Sequence, residues 1–325
     1  MQACIYENYG SADVVRLAEV AKPEVAADEV LVRVHAASVT TADWRFRAAA
    51  FPRGFRLMGR LMTGLFRPRK PILGIDFSGV VHAVGKDVTR FRVGDAVFGA
   101  ASATRRGAHA EFLAVRESGA VVHKPSALTH EEAAAIPFGG GSALSFLRDF
   151  AHVALGQRVL VVGASGSVGV WAVQLARHFG AKVTGVASGP NADLVRSLGA
   201  ARVIDYTKEA IGDAGETYDL IVDTVGGTTF AESRKVLSPN GLYLPIESGF
   251  REILQAVLTS FRSGPRVKWA VTQNTRAGLE TLARLTESGA AKPVVDRVYP
   301  MTAIAEAHRR VEGRHKRGSV VVAMA

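Results

Sequence analysis

Over the first third of the chain, apolar residues fall into short runs separated by polar breaks. Ala3–Tyr6, Val14–Leu17 and Val30–Ala36 have strand spacing, with Pro23 and Asp28-Glu29 as turn material. Residues 72–99 continue the pattern, and Gly79, Gly85, Gly94 and Gly99 punctuate β-rich runs at short intervals. That texture predicts a small all-β barrel, to which residues 107–123 add one or two strands.

From Glu131 the texture changes. Residues 131–150 are rich in helix formers and mark entry into a second domain. Between Arg158 and about Val271, apolar strands alternate with helical segments. VLVVGA reads as a buried strand, and SVGVWAVQLARHFG as a helix with Val168, Ala172, Leu175 and Ala176 on one face. KVTGVAS, RVID and YDLIVDTVG are further strands, and NADLVRSLGA is a further helix. This is the βαβ rhythm of a parallel, doubly wound sheet. LETLARLTESG then predicts a helix with Leu279, Leu282 and Leu285 along one side. The last run, GSVVVAMA, is a strand with no second βαβ unit to join, so it is expected to return to the first domain.

Bulk properties narrow the picture. A chain of 325 residues, 48% hydrophobic, suits two domains rather than one small core. No apolar run reaches the roughly 18 residues of a membrane-spanning helix. The start, MQACIYENYG, reads as a first strand rather than a signal peptide. Cys4 is the only cysteine, which excludes an intrachain disulfide and a cysteine-rich zinc site and fits a reducing cytoplasm.

The net charge of +10 looks like a nucleic-acid signal, but its distribution argues otherwise. Arg45, Arg47, Arg53, Arg56, Arg60, Arg67, Arg69 and Lys70 lie in one stretch without an acid, and removing those eight leaves +2. No nucleic-acid partner is therefore expected. Within 44–70, Phe51, Phe55, Leu57, Met58, Leu61, Met62, Leu65 and Phe66 interleave with the arginines, so a helix over 54–66 is amphipathic. Three readings stand: an apolar lid with arginines at its rim, a weak membrane-surface contact, or a solvated helix packed on the barrel.

The chemistry centres on VLVVGASGSVGVWAVQLA. An apolar strand runs through glycine-spaced turn residues directly into a helix. Gly166 and Gly169 stand where backbone approaches a pyrophosphate and where strand and helix pack closely. Ala164 occupies the first glycine position of GxGxxG, so the strict motif is not met. The second strand ends VTGVASGPNADLVR, with Ser188 and Asn191 where an NAD-binding acid would stand and Asp193 already on the helix. That favours NADP(H) over NAD(H); the alternative is that Ser188 and Asn191 only cap the helix.

These residues resemble the medium-chain dehydrogenase/reductase superfamily, specifically its zinc-free quinone oxidoreductase (zeta-crystallin-like) branch. Gly156-Gln157, Leu160, Ala164-Ser165, Gly166, Gly169, Gln174 and Arg177 fit the quinone oxidoreductase signature, with Ser167 replacing one loop glycine. HAASVTTADWRFR, GIDFSGVVHAVGKDVTRFRVGDAVFG, AAAIPFGGGSAL, DLVRSLGAARVIDYT, YDLIVDTVGG and KRGSVVV extend the likeness over almost the whole chain.

The resemblance implies an α/β protein with a GroES-like β-barrel catalytic domain and a Rossmann doubly wound parallel-sheet domain. The first would span 1–126, completed by 276–325, and the second 127–275. It implies hydride transfer from NADPH to a small hydrophobic carbonyl or quinone substrate, and a homodimer, for which the apolar residues of 242–271 are candidates. Ala164, Ser165, Gly166, Ser167, Val168 and Gly169 would hold the pyrophosphate, and Ser188, Asn191 and Tyr206 the 2′-phosphate. Val225 and Gly226 would approach the adenosine or ribose, and Ser142 stands where the family has Thr near the nicotinamide. Thr40 replaces the family's Asn, and a hydroxyl cannot offer the amide's paired donor and acceptor.

Missing residues matter as much. The zinc-dependent members need Cys, the His of Gly-His-Glu, and a further Cys or Asp. Here those positions fall at about Thr40 and at Ile75 in Gly74-Ile75-Asp76, with no later cysteine. Isoleucine cannot ligate zinc, so no metal is expected. Conjugated acceptors need no Lewis acid, because charge delocalises onto oxygen. Thr40, Asp43 and Trp44 are the substrate-cleft candidates; Asp43 either orients the loop or caps a helix. His109, His123 and His130 fall nearest the expected cleft and read as structural or exposed. No residue stands out as a general acid. Two alternatives stay open: a zinc-free NAD(P)-dependent alcohol or aldehyde dehydrogenase, and a non-catalytic NADPH-binding redox sensor.

Overall fold

The computed structural model describes residues 1–52, 54–213 and 215–324. In chain order, the first elements are β1 (Gln2–Ile5), β2 (Arg16–Glu19), β3 (Glu29–Val39), α1 (Thr41–Ala48), α2 (Arg56–Thr63), β4 (Asp76–Val84), β5 (Ala96–Ala100), β6 (Phe112–Arg116) and β7 (Ala120–His123). Then come α3 (His130–Ala134), α4 (Pro137–Leu144), a π-helical turn Ser145–Phe150, β8 (Arg158–Val162), α5 (Gly169–His178), β9 (Lys182–Ala187), α6 (Ala192–Ser197), β10 (Arg202–Asp205) and β11 (Tyr218–Asp223). The chain ends through α7 (Phe230–Ser233), β12 (Leu237–Pro245), α8 (Phe250–Ser260), β13 (Arg266–Val267), α9 (Arg276–Glu287), β14 (Val295–Pro300), α10 (Ile304–Glu312) and β15 (Ser319–Ala323).

The chain divides into two compact units. One comprises Met1–Phe51, Phe55–Gly141 and Asn274–Ala325; the other comprises Pro52–Gly54 and Ser142–Gln273. The first unit runs past residue 126 to Gly141; α3 packs on its β3 and β4, and Ala134 and Ala135 are buried in one cluster with Ala36 and Val321.

In the first unit, strands run in the order β14-β15-β3-β4-β5-β7, and β6 also pairs β3. The C-terminal strand does return: β15 pairs antiparallel with β3, Val320 opposite Val39. Central β3 is nearly all buried, as its apolar sequence requires when strands cover both edges. The core includes Val30, Val32, Phe77, Val97, Val320 and Val322. Strand β2 starts at Arg16 rather than Val14, because Val14 closes a turn by donating to the Ser11 carbonyl at 3.2 Å.

The second unit is a parallel six-stranded sheet in the order β10-β9-β8-β11-β12-β13. Numbered within the unit this is 3-2-1-4-5-6, the doubly wound dinucleotide-fold order, which reverses direction between β8 and β11. Helix α5 is buried from Gly169 to Ala176, not only along the expected stripe. It packs on β8 and β9 and also touches the Ser145–Phe150 turn, so little of it meets water. Helix α9 forms as expected, with Leu279 and Leu282 buried. Among the described residues no helix is long and apolar enough to cross a membrane.

Candidate functional site

The order reversal between β8 and β11 leaves two loops side by side at the strands' carboxyl ends, where such sheets bind ligands. After β8 the chain turns at Gly163, whose φ is +77°. A Cβ there would lie 2.7 Å from Thr224 Oγ1 and Val225 Cγ1, so only glycine fits. The tight-turn glycine is therefore Gly163, one residue before the position the motif assigns. Ala164 is accommodated because its methyl group faces Gly185 on β9: a Cβ on Gly185 would lie 3.0 Å from it. Gly169 behaves as expected, since a Cβ there would meet the Gly163 carbonyl oxygen at 2.1 Å. At Gly166, by contrast, a Cβ would meet only that oxygen, at 3.4 Å, and otherwise enter open space. Helix α5 then begins behind Val168, an N-cap residue whose side chain makes no capping hydrogen bond. Open space at Gly166 and the start of a helix beside it suit an anionic ligand.

Three polar side chains converge beside this loop. The Asn191 amide donates to Ser165 Oγ at 3.2 Å and to Ser188 Oγ at 3.1 Å. Asn191 Oδ1 is buried with no hydrogen-bond partner among the described residues. The 3-10 turn Gly189–Asn191 carries this cluster, and neither Ser188 nor Asn191 caps α6 through its side chain. Tyr206 follows β10 and is 59% exposed.

Two carboxylates that are not among the sequence candidates also lie here. Asp205 ends β10, and a Cβ on Gly189 would lie 2.7 Å from its Oδ2. The Thr207 hydroxyl, donating at 2.7 Å, holds the Asp205 carboxyl below the usual carboxylate range. Asp223 ends β11 and is fully buried. Its oxygens accept the amides of Val225 (3.1 Å), Gly227 (3.1 Å) and Thr228 (3.0 Å), and the Tyr243 hydroxyl at 3.2 Å. Burial, and then Asp223, push the Tyr243 phenol up. Asp223 thus shapes the loop carrying Val225 and Gly226. An acid closing an apolar strand ahead of Gly-Gly was the available signal. Ser167 and Val168 are buried within the first loop. Ser142 is half-buried on α4, and its hydroxyl has no hydrogen bond among the described residues.

In the first unit, Thr40 and Asp43 form a capping box at the start of α1. Asp43 Oδ2 accepts the Thr40 amide (2.8 Å) and hydroxyl (2.7 Å), while Oδ1 accepts the Gly74 amide at 2.9 Å. Both alternatives for Asp43 hold at once: it caps the helix and fixes the loop. Both of its oxygens and the Thr40 hydroxyl take part in these bonds. Trp44 is half-buried, and its indole N–H is sealed from solvent without a partner among the described residues. His109 is buried, with Nε2 at 3.0 Å from the Ser38 carbonyl oxygen. His130 stacks on His35 at 4.6 Å and meets Ser78 Oγ at 2.8 Å. Burial, and then His35, push its imidazole down to about 4. His123 is exposed.

Residues 26–126 match the alcohol dehydrogenase GroES-like domain, and residues 198–322 match the zinc-binding dehydrogenase family. The NAD(P)H oxidoreductase RTN4IP1, mitochondrial, of Bos taurus is 32% identical, over 99% of this chain and 89% of that protein. The chain belongs to the medium-chain dehydrogenase/reductase superfamily, in its quinone oxidoreductase-like branch. The NADPH-dependent alkenal/one oxidoreductase, chloroplastic, of Arabidopsis thaliana is 33% identical, over 99% of this chain and 79% of its own length. Among solved structures, the quinone oxidoreductase from Coxiella burnetii superimposes with a TM-score of 0.88 at 27% identity, covering 100% of this chain and 99% of that one.

The zinc implied by one family description does not fit the donors present. Ile75 has no ligating side chain, and the Thr40 hydroxyl is committed to Asp43. Cys4 is buried, and burial pushes its thiol up to about 12. Among the described residues, no group of three His, Cys, Asp or Glu side chains is placed to hold a metal.

Proposed function

We propose that this superfamily member is an NADPH-dependent oxidoreductase that transfers hydride to quinones or α,β-unsaturated carbonyl compounds without a metal. The observation that carries the reading is the Ser165–Asn191–Ser188 cluster beside a glycine turn at the order reversal. The relatives named as quinone and alkenal/one oxidoreductases support the acceptor class. Bound NADPH supplies the hydride.

The chain's own residues bind and orient. Residues 164–169 hold the pyrophosphate against the start of α5. Ser188, Asn191 and Tyr206 surround the 2′-phosphate, and the unpartnered Asn191 Oδ1 is a free acceptor for a ribose hydroxyl. Val225 and Gly226, set by Asp223, approach the ribose, and Ser142 the nicotinamide. On a conjugated acceptor the new charge spreads onto oxygen, so the step needs no Lewis acid.

Two finer readings accompany this one. The exposed Phe250, Leu254, Val257 and Leu258 of α8 support a homodimer. The single buried cysteine supports a reducing compartment such as the cytoplasm.

Stopped-flow mixing of NADPH-loaded protein with a panel of quinones and enals tests the activity. Oxidation of the bound cofactor by at least one class is expected. Tight NADPH binding with no oxidation by any acceptor would refute the reading in favour of a non-catalytic sensor.

A further inference from the structure

Helix α2 faces the wrong way for a surface helix. Its buried residues are Gly59 and Thr63, while Leu57, Met58, Leu61 and Met62 are exposed, Met62 by 70%. The small residues let the helix sit close on the first unit. A Cβ on Gly59 would lie 2.5 Å from the Phe51 ring. Thr63 Oγ1 donates to the Gly59 carbonyl at 2.8 Å, the Tyr9 hydroxyl donates to the Gly64 carbonyl at 2.7 Å, and the Arg60 guanidinium stacks 4.2 Å above the Tyr9 ring. A tight turn follows. Gly64 has φ +124°, and the Arg69 amide donates to the Thr63 carbonyl at 2.8 Å. That turn presents Leu65 and Phe66, the latter 83% exposed. The outward apolar face is thus held by specific contacts on its inner side.

The same segment carries exposed positive charge. Arg56, Arg67, Arg69 and Lys70 are exposed and form no ion pair among the described residues, and no acid occurs between 44 and 70. Exposed leucine, methionine and phenylalanine interleaved with cations, in a segment that carries no acid, is the composition of an interfacial helix. A second copy of this chain is disfavoured, because a two-fold contact would set these cations against themselves. Nucleic acid is disfavoured because the exposed apolar side chains are mainly aliphatic and offer only Phe66 for stacking.

We propose that the Arg56–Lys70 segment docks the protein on the surface of an anionic phospholipid bilayer. Leu57, Met58, Leu61, Met62, Leu65 and Phe66 enter the boundary between headgroups and acyl chains. The neighbouring cations pair with lipid phosphates and carboxylates.

Flotation of the full-length protein with phosphatidylcholine vesicles, with and without phosphatidylserine, tests this. Binding to the anionic vesicles is expected at low salt, weaker at ~0.15 M salt, with little binding to phosphatidylcholine alone. Arg67→Gln with Arg69→Gln should weaken binding about 25-fold, at about fivefold per charge. Leu61→Glu with Phe66→Glu should abolish it. The salt series uses the unaltered protein, so it stands whether or not a variant folds. No binding to anionic vesicles at low salt would overturn the proposal. So would binding that survives both well-folded variants, or variants that instead dissociate a dimer or shift only the acceptor KM.

Discussion

Asn191 donates to Ser165 across 3.2 Å, tying the turn after β9 to the loop after β8. One amide therefore couples the proposed 2′-phosphate and pyrophosphate contacts. Asn191→Asp keeps the shape but adds a negative charge beside the proposed phosphate. NADPH affinity is expected to fall by about tenfold or more, the effect of ~1.4 kcal/mol, with NADH little changed. Fluorescence titration with both nucleotides checks this. An equal loss for both would reduce Asn191 to a loop-positioning residue.

Asp205 supplies the converse test. Its ionised carboxyl lies against Gly189, on the turn carrying Asn191. Asp205→Asn removes that charge and keeps an acceptor for Thr207. The NADPH to NADH affinity ratio is expected to rise a few fold at low salt and less at ~0.15 M, as screening requires. A ratio that stays constant would place the 2′ position away from this turn.

The glycine frame predicts opposite outcomes for neighbouring changes. Gly169→Ala places a methyl group 2.1 Å from the Gly163 carbonyl oxygen. Overpacking of this kind costs about 1–3 kcal/mol and should abolish NADPH binding. Ala164→Gly removes one buried methyl and adds backbone freedom, for about 1–2 kcal/mol, and should leave binding measurable. Thermal melts with and without NADPH compare the two. A large NADPH-induced shift in the Gly169→Ala protein would contradict this geometry.

Asp76 sets a pH dependence of stability. It is fully buried; its Oδ2 accepts the Ser38 hydroxyl (2.9 Å) and the Phe138 amide (2.9 Å), while Oδ1 has no partner among the described residues. Burial pushes its carboxyl up to about 8, against the smaller opposing effect of those two donors. Between the unfolded value of about 3.9 and that raised value, the folded protein keeps a proton that the unfolded chain releases. Its contribution to stability is full below that window and falls as pH rises through it, by at most about 1.4 kcal/mol per pH unit. Asp76→Asn should flatten this slope. Urea melts at about pH 5 and about pH 8 decide; an unchanged slope in the variant would exclude Asp76 as its source.

Thr40 and Asp43 separate structure from chemistry. Asp43→Ala removes the capping box and the bond to the Gly74 amide, at a cost of about 2–4 kcal/mol. The pH dependence of kcat should keep its shape in the folded fraction. A lost limb of that profile would instead assign Asp43 a proton-transfer role.

Architecture and much of the chemistry are legible in the residues alone. Runs such as Val159–Val162 and Val320–Val322 reveal buried strands because burial on both faces demands continuous apolar residues. Gly169 marks the loop, and Ile75 offers no zinc-ligating atom at its position, because each follows from the residue's own shape or atoms. Which neighbours those residues meet depends on the folded arrangement. Arg47 looked like part of a basic rim, yet it is fully buried and paired with Glu312 at 2.6 Å, a contact across 265 positions. Arg53, from the same run, lies outside the described residues. The helix expected over 54–66 spans only Arg56–Thr63, because Gly64 ends it, and it turns its apolar face outward. Periodicity states that a face is apolar. Whether protein covers that face depends on distant chain, which no local pattern encodes.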